Sequence, residues 1–253
     1  MSAFDAYDLY NILFLDIETV PVQPDFDDLS DEMQELWGIK ARNILRRPAD
    51  EEIDGDELAA TFTDRAGIYA EFGKIVCISV GFLTRQPGSD EPLLRLKSFA
   101  NHTEAVALDD FSDLLGRHFN SPEKFALCGH NIKEFDIPYI CRRMLINQLP
   151  LPKMIDIAGK KPWETKHLLD TLEMWKFGDI KNYTSLRLLT AVFDIPSPKD
   201  DMDGSDVASV YWGERDLDRI ATYCEKDVVA TVQLFLRLRR MPLLRKDQVV
   251  VVR

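Results

Sequence analysis

The run NILFLDIE at positions 11–18 decides the fold class. Ile12, Leu13, Phe14 and Leu15 follow one another without a polar residue, as in a strand buried on both faces. Asp16 and Glu18 come directly after. Acids at i and i+2 on a strand point to the same side. Two carboxylates held that close repel one another unless a cation lies between them, and a hard divalent ion takes oxygen ligands of this kind. D-x-E alone also fits a strand end entering a polar loop. Its weight here comes from its place behind a buried strand, because α/β folds put their sites at the C-terminal ends of strands.

Outward from this run the chain alternates strands and helices. Segments 74–83 (KIVCISVGFL) and 92–99 read as two more strands, and strands joined without a helix suggest an antiparallel meander. A helix follows, with Thr103 as its cap and Leu108, Phe111, Leu115 and Phe119 at helical spacing. Segment 125–128 is a short buried strand, and 136–146 is a helix with Pro138 in its first turn, where a missing N–H costs nothing. A loop-rich stretch with Pro150, Pro152, Gly159 and Pro162 leads to HLLDTL at 167–172. A helix at 185–192 precedes the loop DIPSPKDDMDG. The last helix, 216–239, sets Leu217, Ile220, Ala221, Cys224, Val228, Val232 and Phe235 on one face. The valines at 249–252 fit an added edge strand or a partner contact.

The chain has 253 residues and a net charge of −12. Thirteen acids and four bases fall within 23–64, so nine of those twelve negative charges sit in one segment. Its one clear element is a helix from Ser30, with Met33, Leu36, Trp37, Ile44 and Leu45 as a rough stripe and Pro48 at its end. It reads as a solvated excursion; the sharper alternative makes Arg42 and Arg46, one turn apart, phosphate contacts. The overall charge speaks against a passive nucleic-acid binder, which needs Lys and Arg to replace counterions. It does not speak against an enzyme that meets phosphate through metal ions. No apolar run approaches the ~20 residues that span a bilayer. The N-terminus does not read as a signal peptide, and the four cysteines are scattered with no C-x-x-C. Reduced thiols and a cytoplasmic location are expected.

Two further clusters carry polar groups in suggestive places. GHNIKEFDIPYI, 129–140, puts His130, Asn131 and Asp136 between a strand and a helix. Asp136 alone reads as an N-cap, but capping does not call for the Gly129-His130-Asn131 run before it. On the last helix Tyr223 and Asp227 are i and i+4 and share a face.

Taken together and in order, the three motifs resemble the DEDD superfamily of 3′–5′ exonucleases. Asp16 and Glu18 match its first motif, Asp136 in N-x(4)-D its second and Asp227 its third. One branch has His five residues before the last Asp, where this chain has Thr222; the other has Tyr four residues before it, and here that is Tyr223. The blocks FLDIETVP, EFGKIVCISVGF, GHNIKEFDIPYI, LLDTLEMWKFGD, SLRLLTAVFDIPSPKDDMDG and IATYCEKDVVAT are similar to those of free-standing exonucleases related to the exonuclease domain of family B DNA polymerases.

The resemblance implies an α/β, ribonuclease-H-like fold with a central mixed five-stranded sheet flanked by helices. It implies a single exonuclease domain over 1–253 with an acidic helical insertion at about 23–70. It also implies two divalent ions, Mg²⁺ or Mn²⁺, held by Asp16, Glu18, Asp136 and Asp227, with Tyr223 orienting the attacking water. The substrate would be the 3′ end of single-stranded nucleic acid, with a lean toward DNA. Thr19, His130, Asn131, Phe135 and Tyr139 are candidates to line the site; core packing competes for Phe135 and Tyr139, and a hydrogen-bonded structural role for His130 and Asn131. Lys181, Asn182, Ser185 and Lys199 are candidate phosphate contacts. Two rivals remain. DIETV resembles a phosphatase motif whose second acid is Asp, but Glu18 stands there and Tyr223 and Asp227 go unexplained. The other is a catalytically silent module binding nucleic acid or a replication or repair partner.

Overall fold

A computed structural model of the chain describes residues 5–86, 88–196 and 202–252. In chain order its elements begin with β1 (Ile12–Pro21), α1 (Asp31–Leu45), α2 (Gly55–Arg65), β2 (Gly73–Arg85), β3 (Pro92–Ala100), α3 (Glu104–His118) and β4 (Ala126–Gly129). They continue with α4 (Asp136–Ile146), β5 (Leu168–Asp170), α5 (Thr171–Lys176), α6 (Leu186–Val192), α7 (Val207–Ser209), α8 (Leu217–Leu238) and β6 (Val249–Val251). A π-helical turn, Val210–Glu214, joins α7 to α8.

The strands form one mixed sheet in the order β5-β4-β1-β2-β3-β6. β1, β2 and β3 make the expected antiparallel meander, and β4 and β5 lie parallel to β1 on its other side. The sheet has six strands rather than five. The sixth is the valine tail, which pairs parallel with the outer edge of β3, Val249 opposite Leu94, a place that suits β-branched residues.

β1 is longer than its apolar run. Its pairing with β2 runs from Leu13 opposite Phe82 to Pro21 opposite Gly73, with a register shift between Glu18 and Thr19. Ladder hydrogen bonds belong to the backbone, so polar side chains do not end the strand. β4, by contrast, pairs with β1 only at Ile12, Leu13 and Phe14. Asp16 and Glu18 are therefore inside a strand on the β2 side and beyond the end of pairing on the β4 side. The sequence expectation of a strand ending at 15 is corrected to that extent.

The two faces of β1 pack on different helices. Leu13, Leu15 and Ile17 join Leu108, Phe111 and Leu115 of α3 and Ile137, Ile140 and Met144 of α4. Ile12 and Phe14 join Val228, Val232 and Phe235 of α8, with the Phe14 and Phe235 rings edge to face at 5.4 Å. By alternation Asp16 and Glu18 continue the row under α8. α8 buries Ile220, Cys224, Val228 and Phe235 and starts at Asp216, whose carboxylate accepts from the Arg219 N–H at 3.0 Å. Gly81 of β2 lies beneath it: a methyl group there would stand 2.9 Å from Cγ1 of Val228, so glycine sets the distance of α8 from the sheet.

On the opposite face a buried ion pair ties three elements together. Glu104 accepts from Nε and Nη2 of Arg143 at 2.9 and 2.6 Å and from the Ile75 N–H at 2.7 Å. Arg143 Nη1 donates to the Ala70 carbonyl at 2.8 Å.

The acidic segment is more ordered than a solvated excursion. α1 starts after Ser30 as expected, the Ser30 hydroxyl accepting from the Met33 N–H. The second helix, α2, was not expected, because Leu58 and Phe62 are its only large apolar residues. Trp37 explains the pair. It is fully buried, its indole N–H donates to the Leu58 carbonyl at 3.2 Å, and its ring meets Phe62 and Phe72 at 5.3 and 5.0 Å. Arg42 donates to the carbonyls of Pro48 and Glu51 and so closes the link between the helices. Among the described residues no helix is long and apolar enough to cross a membrane.

Candidate active site

Three elements distant in sequence bring carboxylates to one place. β1 supplies Asp16 and Glu18, α4 supplies Asp136 and α8 supplies Asp227. Carboxylate oxygens of Asp16 and Glu18 and Sγ of Cys224 lie within 4.8 Å of one another. Glu18 and Asp136 are buried, at 8% and 3% exposure, while Asp16 and Asp227 are half-buried.

Asp136 is the first residue of α4 rather than its cap; the cap position is Phe135, with no side-chain bond. The expected N-cap is thereby corrected: the side chain lies inside the first turn, close to the backbone of Ile17 beyond the last β1–β4 pair, and the N–H groups of Ile17 and of Asp136 itself pull the carboxyl's pKa down against burial. Gly129 permits the approach, because a Cβ there would stand 3.0 Å from the Leu15 carbonyl and 2.8 Å from Cβ of Ile132.

The electrostatics follow from burying acids together. Burial, then the charges of Asp136, Glu18 and Asp227, hold the Asp16 carboxyl well above the usual carboxylate range. Burial, then Asp227, Cys77 and Asp136, do the same to Glu18. Burial pushes Asp136 up to about 7. A divalent cation would offset both the burial and the mutual repulsion behind these shifts, and oxygen donors of this kind suit Mg²⁺ or Mn²⁺. The donor set fits such an ion.

Tyr223 stands on α8 one turn before Asp227, half-buried, with its phenol in the field of the Asp227 carboxylate. Burial and the charges of Asp227, Glu18 and Asp16 raise its pKa, so it stays protonated. The 202–206 loop passes nearby: a Cβ on Gly204 would be 3.9 Å from the Tyr223 hydroxyl.

The loop after β4 is held by a residue that motif spacing missed. Asp170, at the end of β5 and 2% exposed, accepts from the N–H groups of Asn131 at 3.0 Å, Lys133 at 3.2 Å, Leu172 at 2.9 Å and Glu173 at 3.3 Å. It caps α5 and fixes the 129–133 loop beside Asp136. The signal was present in HLLDTL, where an acid follows a short apolar run, but the pairing of β5 with β4 is a tertiary fact.

His130 is also part of this frame. Its Nε2 lies 2.9 Å from the Thr184 carbonyl and its Nδ1 2.9 Å from the Thr171 hydroxyl. A carbonyl only accepts, so Nε2 carries the proton and Nδ1 accepts from Thr171. Burial lowers its pKa and keeps it neutral. Asn131 sits in the left-handed region, φ 65°, and its carbonyl accepts from the Glu134 and Phe135 N–H groups.

The other candidates divide. Tyr139 is 1% exposed, and its hydroxyl donates to the Gly67 carbonyl at 2.8 Å. It belongs to the core and is corrected as a stacking surface; Thr19 on β1 is half-buried. Phe135 is half-buried against it, centroids 5.4 Å apart. Lys181 is exposed, with its backbone N–H on Asp179, and Asn182 donates to the same carboxylate. Ser185 caps α6 by accepting from the Leu188 N–H. Lys199 lies outside the described residues. Cys224, read from sequence only as a reduced thiol, donates to the carbonyl and carboxylate of Asp16 at 3.4 and 3.5 Å.

No curated protein matches the chain at a significant level. A family model does match, over residues 68–246, and its description is a predicted 3′–5′ exonuclease related to the exonuclease domain of PolB. The matched span contains Asp136, Tyr223 and Asp227 and begins after β1 with Asp16 and Glu18. With more than half of its length covered, the chain belongs to this family of predicted 3′–5′ exonucleases.

Proposed function

We propose that the chain is a metal-dependent exonuclease that removes nucleotides from the 3′ end of single-stranded nucleic acid, with DNA as the favoured substrate. The observation that carries this reading is the convergence of Asp16 and Glu18 of β1, Asp136 of α4 and Asp227 of α8, each acting on the charge of the others, with Tyr223 beside them. The chain is read as one domain, with the α1–α2 hairpin as an insertion.

Asp16, Glu18 and Asp227 would hold one divalent ion, and Asp16 with Asp136 a second. Such ions, when bound, stabilise charge on a phosphoryl group and lower the pKa of water. The protein's own part is to keep four acids close, fixed and partly shielded from bulk water. Asp136 is placed by the start of α4, and the loop before it is held by Asp170. Tyr223 is too weak an acid to serve as the base. Its protonated phenol instead stands beside Asp227 and orients the attacking water. Substrate enters as single strand because a scissile bond at a terminus must reach acids that lie under a helix.

A time course on 5′-labelled single-stranded DNA and RNA, with Mg²⁺, Mn²⁺ or EDTA, tests the proposal. Expected is a ladder shortening from the 3′ end, absent in EDTA and faster on DNA. Retention in a native gel without any ladder would support the silent-module alternative instead.

A further inference from the structure

One loop beside the acids presents large apolar side chains to water. Phe177, Ile180 and Tyr183 are 81%, 89% and 66% exposed, all within seven residues. Single exposed apolar residues are ordinary, but a group of them marks a surface that binds something. The loop leaves α5 through Phe177 at φ 46° and Gly178 at φ 90°, and Asp179 holds its turn through the Lys181 N–H and Asn182.

The loop is tied to the site. The Thr184 carbonyl accepts from His130, and the Tyr183 ring lies 6.4 Å from the His130 ring. Partial burial, then the charges of Asp136, Asp170 and Asp16, raise the Tyr183 phenol above its ordinary pKa, so its hydroxyl end is within the field of the acid cluster. Along the chain the loop's own neighbours are net basic. Lys176, Lys181 and Arg187 stand against Asp179, in a chain of net charge −12.

We infer that the 177–184 loop is a nucleobase platform, on which Tyr183 stacks against a base at the 3′ end of the substrate strand while Ile180 and Phe177 extend the apolar surface outward. The inference rests on the exonuclease reading and names where the strand lies. Base stacking on an aromatic ring tolerates any sequence, as an exonuclease that moves along a strand requires. It also supplies the stacking surface that Tyr139, buried in the core, cannot.

The test uses single-stranded DNA carrying 2-aminopurine at its 3′ terminus, with Ca²⁺ in place of Mg²⁺ for binding, and the same strand labelled at its 5′ end with Mg²⁺ for kinetics. Wild-type protein is expected to quench the fluorescence. Tyr183→Ala is expected to lose the quench and to raise KM about tenfold, whereas Tyr183→Phe keeps both, because the ring does the stacking. Ile180→Ser, on a side chain in open water, is expected to raise KM less. Unchanged KM and quench in a folded Tyr183→Ala protein overturn the platform while leaving the exonuclease reading intact. So does an equal loss in Tyr183→Phe, which would assign the effect to the hydroxyl. A change in sedimentation of Tyr183→Ala with KM unchanged would make the loop a protein contact and overturn it too. A wild-type chain that shortens no oligonucleotide overturns both readings.

Discussion

At the scale of the residue, burial and then the charge of Asp170 push the Asp136 carboxyl up, while the N–H groups of Asp136 and Ile17 pull it down. Burial holds its pKa near 7, against about 3.9 for an unfolded Asp. The sign of the consequence follows. Below about pH 4 both states carry the proton; between there and pH 7 the folded state keeps a proton that the unfolded chain has released, so stability falls as pH rises. In EDTA the melting temperature of the wild type should therefore drop relative to Asp136→Asn between pH 5 and pH 8, as calorimetry would show. Saturating Mg²⁺ should reverse the trend at pH 8. A constant difference across that range would contradict the buried-acid account. Tyr223 makes a separate prediction. Tyr223→Phe removes the phenol hydroxyl beside Asp227 but no carboxylate. Turnover should fall about a hundredfold with metal affinity by calorimetry nearly unchanged.

Among elements, the decisive relation is β1 crossing under α8. Much of it was legible: D-x-E behind a buried run, N-x(4)-D at a helix start and Tyr-x(3)-Asp on a helix are local spacings, and local spacing is what a sequence displays. The continuation of β1 to Pro21 was not legible, because Asp16, Glu18 and Thr19 do not look like a strand until β2 lies beside them. α2 escaped because Leu58 and Phe62 are too few for a stripe and need Trp37 from another helix. Asp170 escaped because its four N–H partners come from two segments that only the β4–β5 pairing brings together. Replacing it tests that frame. Asp170→Ala leaves buried N–H groups without their acceptor, at about 1–3 kcal/mol for each one that finds no water. Its denaturation midpoint should fall, and its activity should fall further than the lost stability explains. On the far face, Arg143→Met strands the buried Glu104 carboxylate, and urea unfolding should show a loss of about 3–5 kcal/mol.

Across the whole molecule the charge is divided rather than uniform. Nine of the twelve net negative charges belong to 23–64, which folds as the α1–α2 hairpin around Trp37, and four further acids form the candidate site. An acidic chain can then act on an acidic polymer, provided divalent ions neutralise the one face that meets phosphate. The helix hairpin is free to stay acidic because nothing in this account asks it to touch the strand. The resemblance read from the motifs and the family match over 68–246 agree on a predicted exonuclease. The match starts after β1, so the role of Asp16 and Glu18 stands on their position beneath α8.

The most direct test of the central claim is therefore single-turnover cleavage of a 5′-labelled single-stranded oligonucleotide by Asp16→Ala and Asp227→Ala proteins in Mg²⁺. Circular dichroism serves as the check on folding. The account predicts native spectra and no 3′ shortening above the EDTA background in either variant. Wild-type shortening by either folded variant would contradict it.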